Sequence, residues 1–357
     1  MKIITFAGDT LLANKDGVGN ILSDSLHDLF AESDEVCVNL ETVLIENCNG
    51  SQKAFNISTP PSNVRFLRDN NIGVVNIANN HTCDFGKVGR ESTVKVLSKE
   101  GIKIIGENAS NRVLVKLNDS IKVGLVAYTN FSGEELSRLN LPSILKDINL
   151  LKEENCKYVV VNLHWGEEYV AYPRPLQQKI AHSLIDGGAD VIIGHHPHCM
   201  QGYENYKNGL IFYSLGNFNF HVDHPYSESL IETKYAYCVR LQFGDSMTYK
   251  IIPVFIDSNW VPDVLNEVMS AKVLDYLEDI SRPLERGITS TFWFTQASMH
   301  HFKNNMPAWR MRIKKYGMKH FFQMLIWLVR PGTIKYYFGL LNYPFRKKIE
   351  LSNYISR

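Results

Sequence analysis

A chain of 357 residues with 45% hydrophobic and 21% charged content can bury a sizeable core, as one large α/β domain or as one domain with an appendage. A formal net charge of +1 points to no acidic partner for the chain as a whole. The six cysteines, Cys37, Cys48, Cys83, Cys156, Cys199 and Cys238, show no CxxC pairing, which argues against a disulfide framework and for reduced thiols in a cytoplasmic protein.

The N-terminal MKIITFAGDT enters a strand directly, with no charged leader and apolar run of the kind a signal peptide needs. Lys2 to Ala7 alternates as a strand and stops at Gly8-Asp9-Thr10, placing a carboxylate where the strand emerges. A helix is expected around Ile21 to Phe30. Glu35 to Leu40 then forms a second strand, ending in Glu41-Thr42. Thr59-Pro60-Pro61-Ser62 should start a helix running to about Asn70, since proline suits a first turn. Ile72 to Ala78 is β-like again and delivers Asn79-Asn80-His81-Thr82-Cys83-Asp84.

Lys87 to Glu100 reads as helix, Lys103 to Ile105 as strand, and Arg112 to Leu117 with Lys122 to Tyr128 as a strand pair turned at Asn118-Asp119-Ser120. Another helix is expected over Pro142 to Asn155. The buried run Tyr158 to Leu163 presents His164-Trp165-Gly166-Glu167-Glu168-Tyr169, and the amphipathic helix Pro173 to Asp186 closes on Gly187-Gly188. That helix feeds VIIGHHPHCMQ, Val191 to Gln201, a short strand whose end offers His195, His196 and His198. Residues two apart in an extended segment share a side, so His196 and His198 are expected to converge, with His195 supporting the fold. Leu210 to Leu215, Tyr235 to Phe243 and Tyr249 to Ile256 read as antiparallel strands of a second sheet. Strands alternate with helices early and follow one another late, so helices should cover the outer faces of two packed sheets.

The strand tips thus offer Asp9, Glu41, Asn80, His81, His164, His196 and His198, a mixed oxygen and nitrogen set suited to one or two divalent ions bridged by a carboxylate. The ordered series GDT at Gly8, NLET at Asn39, ANNHTCDFG at Ala78, NLHWGEEY at Asn162, GHHPHCMQ at Gly194 and YSLGNF at Tyr213 resembles the CapA family of capsule and poly-gamma-glutamate synthesis proteins, within the calcineurin-like metallophosphoesterases. The resemblance covers roughly residues 1 to 257. It implies a four-layer α/β/β/α sandwich; beyond it, the residues themselves read as a helical continuation over 258–298 and a helical basic extension over 299–357.

By the same resemblance, Asp9 and His198 would hold a first metal, Glu41 would bridge, and Asn80, His164 and His196 would hold a second. The ions implied are of Mn, Fe or Zn type. His81 would stand beside the scissile group, oriented by Asp84; Trp165, Glu167 in the HWGxEY run, Tyr169 and Asn217 would line the substrate cleft. Leu11 stands where the superfamily usually has a histidine, and Glu41 where it usually has an aspartate, leaving the first site short of one nitrogen ligand. The activity implied is that of a phosphoesterase-like hydrolase acting on a cell-surface polymer or its phosphorylated precursor. The alternative is a noncatalytic assembly factor of a capsule machine. Cys83 and Cys199 flank these residues as small packing side chains.

From His300 onward 12 Lys and Arg face a single acid, Glu350. Trp309 to Val329 mixes five of these cations with aromatic and aliphatic residues, and Arg346-Lys347-Lys348 follows. Three readings stay open for this tail: peripheral contact with an anionic membrane at its cytoplasmic face, a helical extension packed on the body with a solvated basic side, and contact with another partner. Its longest apolar run, Phe321 to Val329, is far short of the roughly 20 residues of a spanning helix. No nucleic-acid motif accompanies the charge, so nucleic acid is not the expected partner.

Overall fold

The computed structural model describes residues 2–12, 22–46, 50, 55–108, 111–131, 136–220, 230–345 and 349–356. Ile21, Cys48 and the run Arg346-Lys347-Lys348 lie outside the described residues.

Period-two alternation sorts the first strands onto two faces. In β1 (Lys2–Thr10), Ile4 and Phe6 point into the space between two sheets while Ala7 points the other way. Helix α1 (Asp24–Ala31), capped by Ser23 accepting from the Leu26 N–H, leads to β2 (Glu35–Leu40), where Cys37 faces inward and Val36 and Val38 outward. The short strands β3 (Val43–Leu44) and β4 (Ser58–Thr59) pair with each other. Helix α2 (Arg65–Asp69), β5 (Ile72–Asn76), α3 (Gly86–Lys99) and β6 (Lys103–Ile105) follow. Leu26, Phe30, Leu67 and Leu97 from α1, α2 and α3 cover the outer face of this sheet. Each buried side chain of this size stabilises by about 1.5–3 kcal/mol.

The second sheet is built from β7 (Val113–Lys116), β8 (Lys122–Thr129), β9 (Tyr158–His164), β10 (Val191–His195), β11 (Tyr203–Tyr206) and β12 (Gly209–Phe212), with α4 (Leu141–Glu153) before β9 and α5 (Pro175–Asp186) before β10. Its order is β11-β12-β10-β9-β8-β7, parallel through β12, β10, β9 and β8. Strands buried on both sides should be continuously apolar, and Tyr158 to Leu163 and Val191 to Ile193 are wholly buried. Ile144, Ile148 and Leu151 of α4 and Ala181 and Leu184 of α5 pack on this sheet. The architecture is the four-layer α/β/β/α sandwich that the resemblance implies.

Three later strands, β14 (Tyr235–Phe243), β15 (Met247–Ile256) and β16 (Pro262–Val264), correct the expected sheet assignment. They join the first sheet, whose order is β16-β15-β14-β1-β2-β5-β6, with β13 (Asn217–Asn219) beside β1. Their antiparallel pairing is as read, but β14 pairs with the free edge of β1, and the 210–215 strand instead runs parallel to β10 in the second sheet. Chain order does not say which of two open sheet edges a strand will reach. The helix expected from Thr59 is also shorter: Pro61–Val64 makes a 3₁₀ turn, and the α-helix begins only at Arg65.

Beyond the sheets run α6 (Glu267–Glu285), α7 (Ser290–Tyr316), α8 (Met318–Leu328), α9 (Pro331–Asn342) and α10 (Ser352–Ile355). Helix α7 passes through position 298 without a break. Its Trp293 is buried, donates from Nε1 to the Tyr172 carbonyl at 3.0 Å and carries the Arg174 guanidinium 4.3 Å above its ring. Among the described residues no helix is long and apolar enough to cross a membrane, and Cys37, Cys156, Cys199 and Cys238 are free thiols.

Candidate metal centre

Parallel strands in both sheets bring their C-terminal ends to one edge of the sandwich, where α/β proteins keep their sites. Asp9 lies on β1, Glu41 follows β2, Asn79 to His81 follow β5, His164 ends β9, and His195 ends β10. The register of β1 shifts around Asp9 against both β2 and β13, which re-aims that side chain. Gly8 is required just before it, because a Cβ there would come within 2.0 Å of the Gly216 carbonyl oxygen.

His196 and His198 do converge, though not by strand alternation. Both have left-handed backbones, with φ of +97° and +54°, in the turn beyond β10. Such conformations cost about 1–3 kcal/mol each in a residue with a side chain and concentrate at functional sites.

The ligand-type atoms lie close together. His164 Nε2 and His198 Nε2 are each 3.7 Å from Glu41 Oε1, and His198 Nδ1 is 3.3 Å from Asp9 Oδ2. Asn80 Oδ1 lies 2.7 Å from His164 Nε2. The ring centres of His164 and His196 are 4.8 Å apart. Among the described residues, three groups bring metal-ligand atoms within 4.8 Å of one another: Glu41, His164 and His196; Asp9, Glu41 and His198; and Glu168, His196 and His198. Asp9, Glu41 and His164 are completely buried.

Charge is strongly organised in this buried cluster. Burial opposes ionisation of Asp9, but the imidazoles of His195 and His198 beside it hold its carboxyl well below the usual range. Burial and the neighbouring Asp9 charge push Glu41 upward. Burial also disfavours the His198 imidazolium, yet the carboxylates of Glu41 and Asp9 push it up to about 10. His196, chiefly through burial, falls to about 4, and His164 is lowered as well. Glu41 Oε1 and His196 Nδ1 are buried without a hydrogen-bond partner. A divalent cation matches this donor set of hard oxygens and imidazole nitrogens and would complete Glu41 Oε1.

His81 Nδ1 lies 2.7 Å from Asp84 Oδ2, and its Nε2 points towards Glu41 Oε1 at 3.9 Å. His195 Nδ1 faces Asp9 Oδ1 at 3.5 Å. The residues expected to line a cleft are placed differently from one another. Trp165 is buried inside the core, donating from Nε1 to the Tyr213 carbonyl at 3.2 Å. Asn217 stands behind the site with Oδ1 3.0 Å from His198 Nδ1, and the Tyr169 ring is 6.1 Å from that of His198. Glu167 turns away from the ligands to meet Arg174, at 2.6 Å, and His301, at 2.7 Å.

Two contributions were not singled out from the sequence, Asn39 and the pair Phe131 and Phe220. Asn39 Nδ2 donates to Asp9 Oδ1 at 2.7 Å and lies 3.3 Å from Glu41 Oε2, tying the two carboxylates together. Phe131 packs 4.5 Å from the His196 ring and Phe220 4.4 Å from the His198 ring, so these aromatics, and not Trp165, wall the cluster. Glu168, at the fixed E of HWGxEY, reaches the ligands in place of Glu167.

The family profile described as bacterial capsule synthesis protein PGA_cap matches residues 4–222, more than half of the chain. The chain belongs to this family. Capsule biosynthesis protein CapA of Bacillus anthracis is 35% identical over 209 residues, 53% of this chain and 51% of that protein. PGA biosynthesis protein CapA of Bacillus subtilis is 32% identical over 207 residues, 54% of each. The chain therefore spans about half the length of the curated relatives it matches. The NAD nucleotidase of Haemophilus influenzae aligns with a TM-score of 0.43 and 13% identity, covering 78% of this chain and 62% of that one. The PGA_cap match ends at residue 222, so β14 to β16 and helices α6 to α10 lie beyond it.

Proposed function

We propose that this PGA_cap protein is a metal-dependent, phosphoesterase-like hydrolase acting in the biosynthesis of a capsule or another cell-surface polymer, on the polymer or a phosphorylated precursor. The observation that carries the reading is Glu41 Oε1. It is sealed from solvent, lacks a hydrogen-bond partner and sits 3.7–3.9 Å from nitrogens of His164, His198 and His81. A buried polar atom left so costs about 1–3 kcal/mol or more unless a cation completes it.

Asp9, Glu41 and His198 would hold one divalent ion, and Asn80, His164 and His196 with Glu41 a second. Bound there, an ion of Mn, Fe or Zn type supplies Lewis acidity at a phosphoryl or carbonyl oxygen and a nucleophile at neutral pH. Asp84 holds the Nδ1 side of His81, which leaves Nε2 as the ring atom able to pass a proton to a leaving oxygen. Asn39 keeps Asp9 and Glu41 in register, and Phe131 and Phe220 exclude water from the imidazoles.

The test is metal analysis and a phosphoester panel on protein supplied with Mn, Fe or Zn, beside Glu41→Gln. Metal bound by the wild type, with turnover lost in the variant, supports the reading. Stoichiometric metal with no turnover on any ester sinks the hydrolase. A second reading, a noncatalytic assembly factor of a capsule or poly-gamma-glutamate synthesis machine, has Leu11 in its favour, a buried leucine where the first ion would take a nitrogen ligand. Normal polymer in a Glu41→Gln strain that has lost metal would count against both.

A further inference from the structure

Helices α8 and α9 wear their apolar residues on the outside. In α8, Met318, Phe322, Leu325, Ile326 and the following Val329 are exposed, and their spacing of four, three, one and three places them on one face. None of the eleven residues of α8 is buried. Helix α9 repeats the arrangement at 334, 337, 338 and 341, while Thr333, Tyr336 and Gly339 turn inward. Nine of the fourteen large apolar side chains exposed among the described residues belong to these two consecutive segments, a concentration that scatter over the surface does not give.

Cations rim it. Arg310, Lys314, Lys315, Lys319, Arg330 and Lys335 are exposed, and no Asp or Glu occurs from His300 to Ile349. We propose that the α8–α9 face docks in the interfacial layer of a bilayer containing anionic lipid. At about 1.5 Å per residue α8 is roughly 16 Å long, half of a ~30 Å hydrocarbon core, so it lies along the surface and does not cross it. The stripes enter the boundary between headgroup and acyl chain, and the cations meet lipid phosphate. A second copy of the chain would set two basic, acid-free segments against each other, which disfavours self-association as the occupant. The face is also tied to the body: Trp327 stacks on His301 at 5.5 Å, and His301 Nδ1 meets Glu167 at 2.7 Å. The inference stands apart from the hydrolase reading, since none of its residues is a candidate ligand.

The experiment is sedimentation of the full chain with vesicles of phosphatidylcholine alone or with roughly one-third phosphatidylglycerol, at low and high salt. The wild type should pellet with the anionic vesicles at low salt and partition several-fold less onto neutral ones. Phe322→Asp with Phe338→Asp should lower partitioning by about tenfold or more, with an unchanged unfolding midpoint because both side chains already face solvent. Lys319→Glu with Lys335→Glu, which leaves the apolar face intact, should weaken binding to anionic vesicles alone. Wild type left in the supernatant with anionic vesicles at low salt overturns the proposal, as does either double variant pelleting like wild type. A dimer in sedimentation velocity, dissociated by Phe338→Asp and indifferent to vesicles, would hand the face to a second copy and overturn it too.

Discussion

His81 is clamped by Asp84: Nδ1 lies 2.7 Å from Asp84 Oδ2, and the same carboxylate oxygen accepts the Ile57 backbone N–H at 2.8 Å. A fully buried carboxylate held from two sides fixes both the tautomer and the direction of the imidazole. The ring is near the ligands yet completes no ligand group. Replacing His81 by Asn should therefore leave metal content and folding close to wild type while kcat falls by about 10²–10⁴, the usual worth of general acid–base help. KM should move less, because the proton matters mainly in the transition state. Full turnover in His81→Asn would remove it from the mechanism.

Gly194 sits in β10 one residue before the strand ends at His195 and the histidine turn begins. A Cβ there would come within 1.8 Å of the Tyr213 carbonyl oxygen, a backbone atom that cannot rotate away. Gly194→Ala should cost at least about 1–3 kcal/mol of stability by overpacking and should lower metal content, since His196 and His198 follow directly. Gly332→Ala, where nothing lies within 4 Å, is the control and should be near neutral. Urea midpoints and elemental analysis of the two variants check the contrast. Equal midpoints would mean that β10 yields without cost.

Glu167 makes the body's grip on the C-terminal helices depend on pH. Burial opposes its charge, but His301 and Arg174 bring its pKa down to about 2 from an ordinary 4.5. A depressed carboxyl stabilises the fold above its unfolded pKa and loses that contribution as pH falls through the folded value, here between pH 4.5 and 2. The shift is worth about 3 kcal/mol. Wild type should exceed Glu167→Gln in stability by an amount of that order at pH 7, and the gap should close across that window. Denaturant unfolding at stepped pH, followed by tryptophan fluorescence, measures it. A gap that stays constant down to pH 2 would show that the carboxylate charge is not what holds the helices.

The strand tips were legible because each is a local event: an apolar run ends and a ligand-type residue follows, as at Glu41, Asn80 and His164. Their gathering at one edge follows from parallel strands, and that too was readable. Which sheet received Tyr235 to Ile256 was not, because pairing with β1 spans more than two hundred residues. Neither was the burial of Trp165, whose partner is the distant Tyr213 carbonyl, nor the role of Asn39, whose contacts reach Asp9 and Glu41 across two strands. The inverted amphipathy of α8 and α9 was hidden for the same reason: periodicity shows that a stripe exists but not which way it faces.

Glu167 and Glu168 are the sharpest case, since adjacent identical residues serve different halves of the molecule. Gly166 at φ +101° and Tyr169 at φ +64° bend the chain on either side, so the two side chains diverge. Glu167 goes to Arg174 and His301, whereas Glu168 goes to His196 and His198 and accepts a hydrogen bond from Asn304 Nδ2 of α7. Glu168→Gln should then weaken metal binding by about 10–100-fold, and Asn304→Ala, which removes only the bond that orients the carboxylate, should weaken it by less. Glu167→Gln should bind metal like wild type but release the C-terminal helices faster to protease. Chelator competition and limited proteolysis on the three variants, read together, separate the roles. Metal loss in Glu167→Gln with none in Glu168→Gln would reverse the assignment and return the ligand-side role to the first glutamate of the pair.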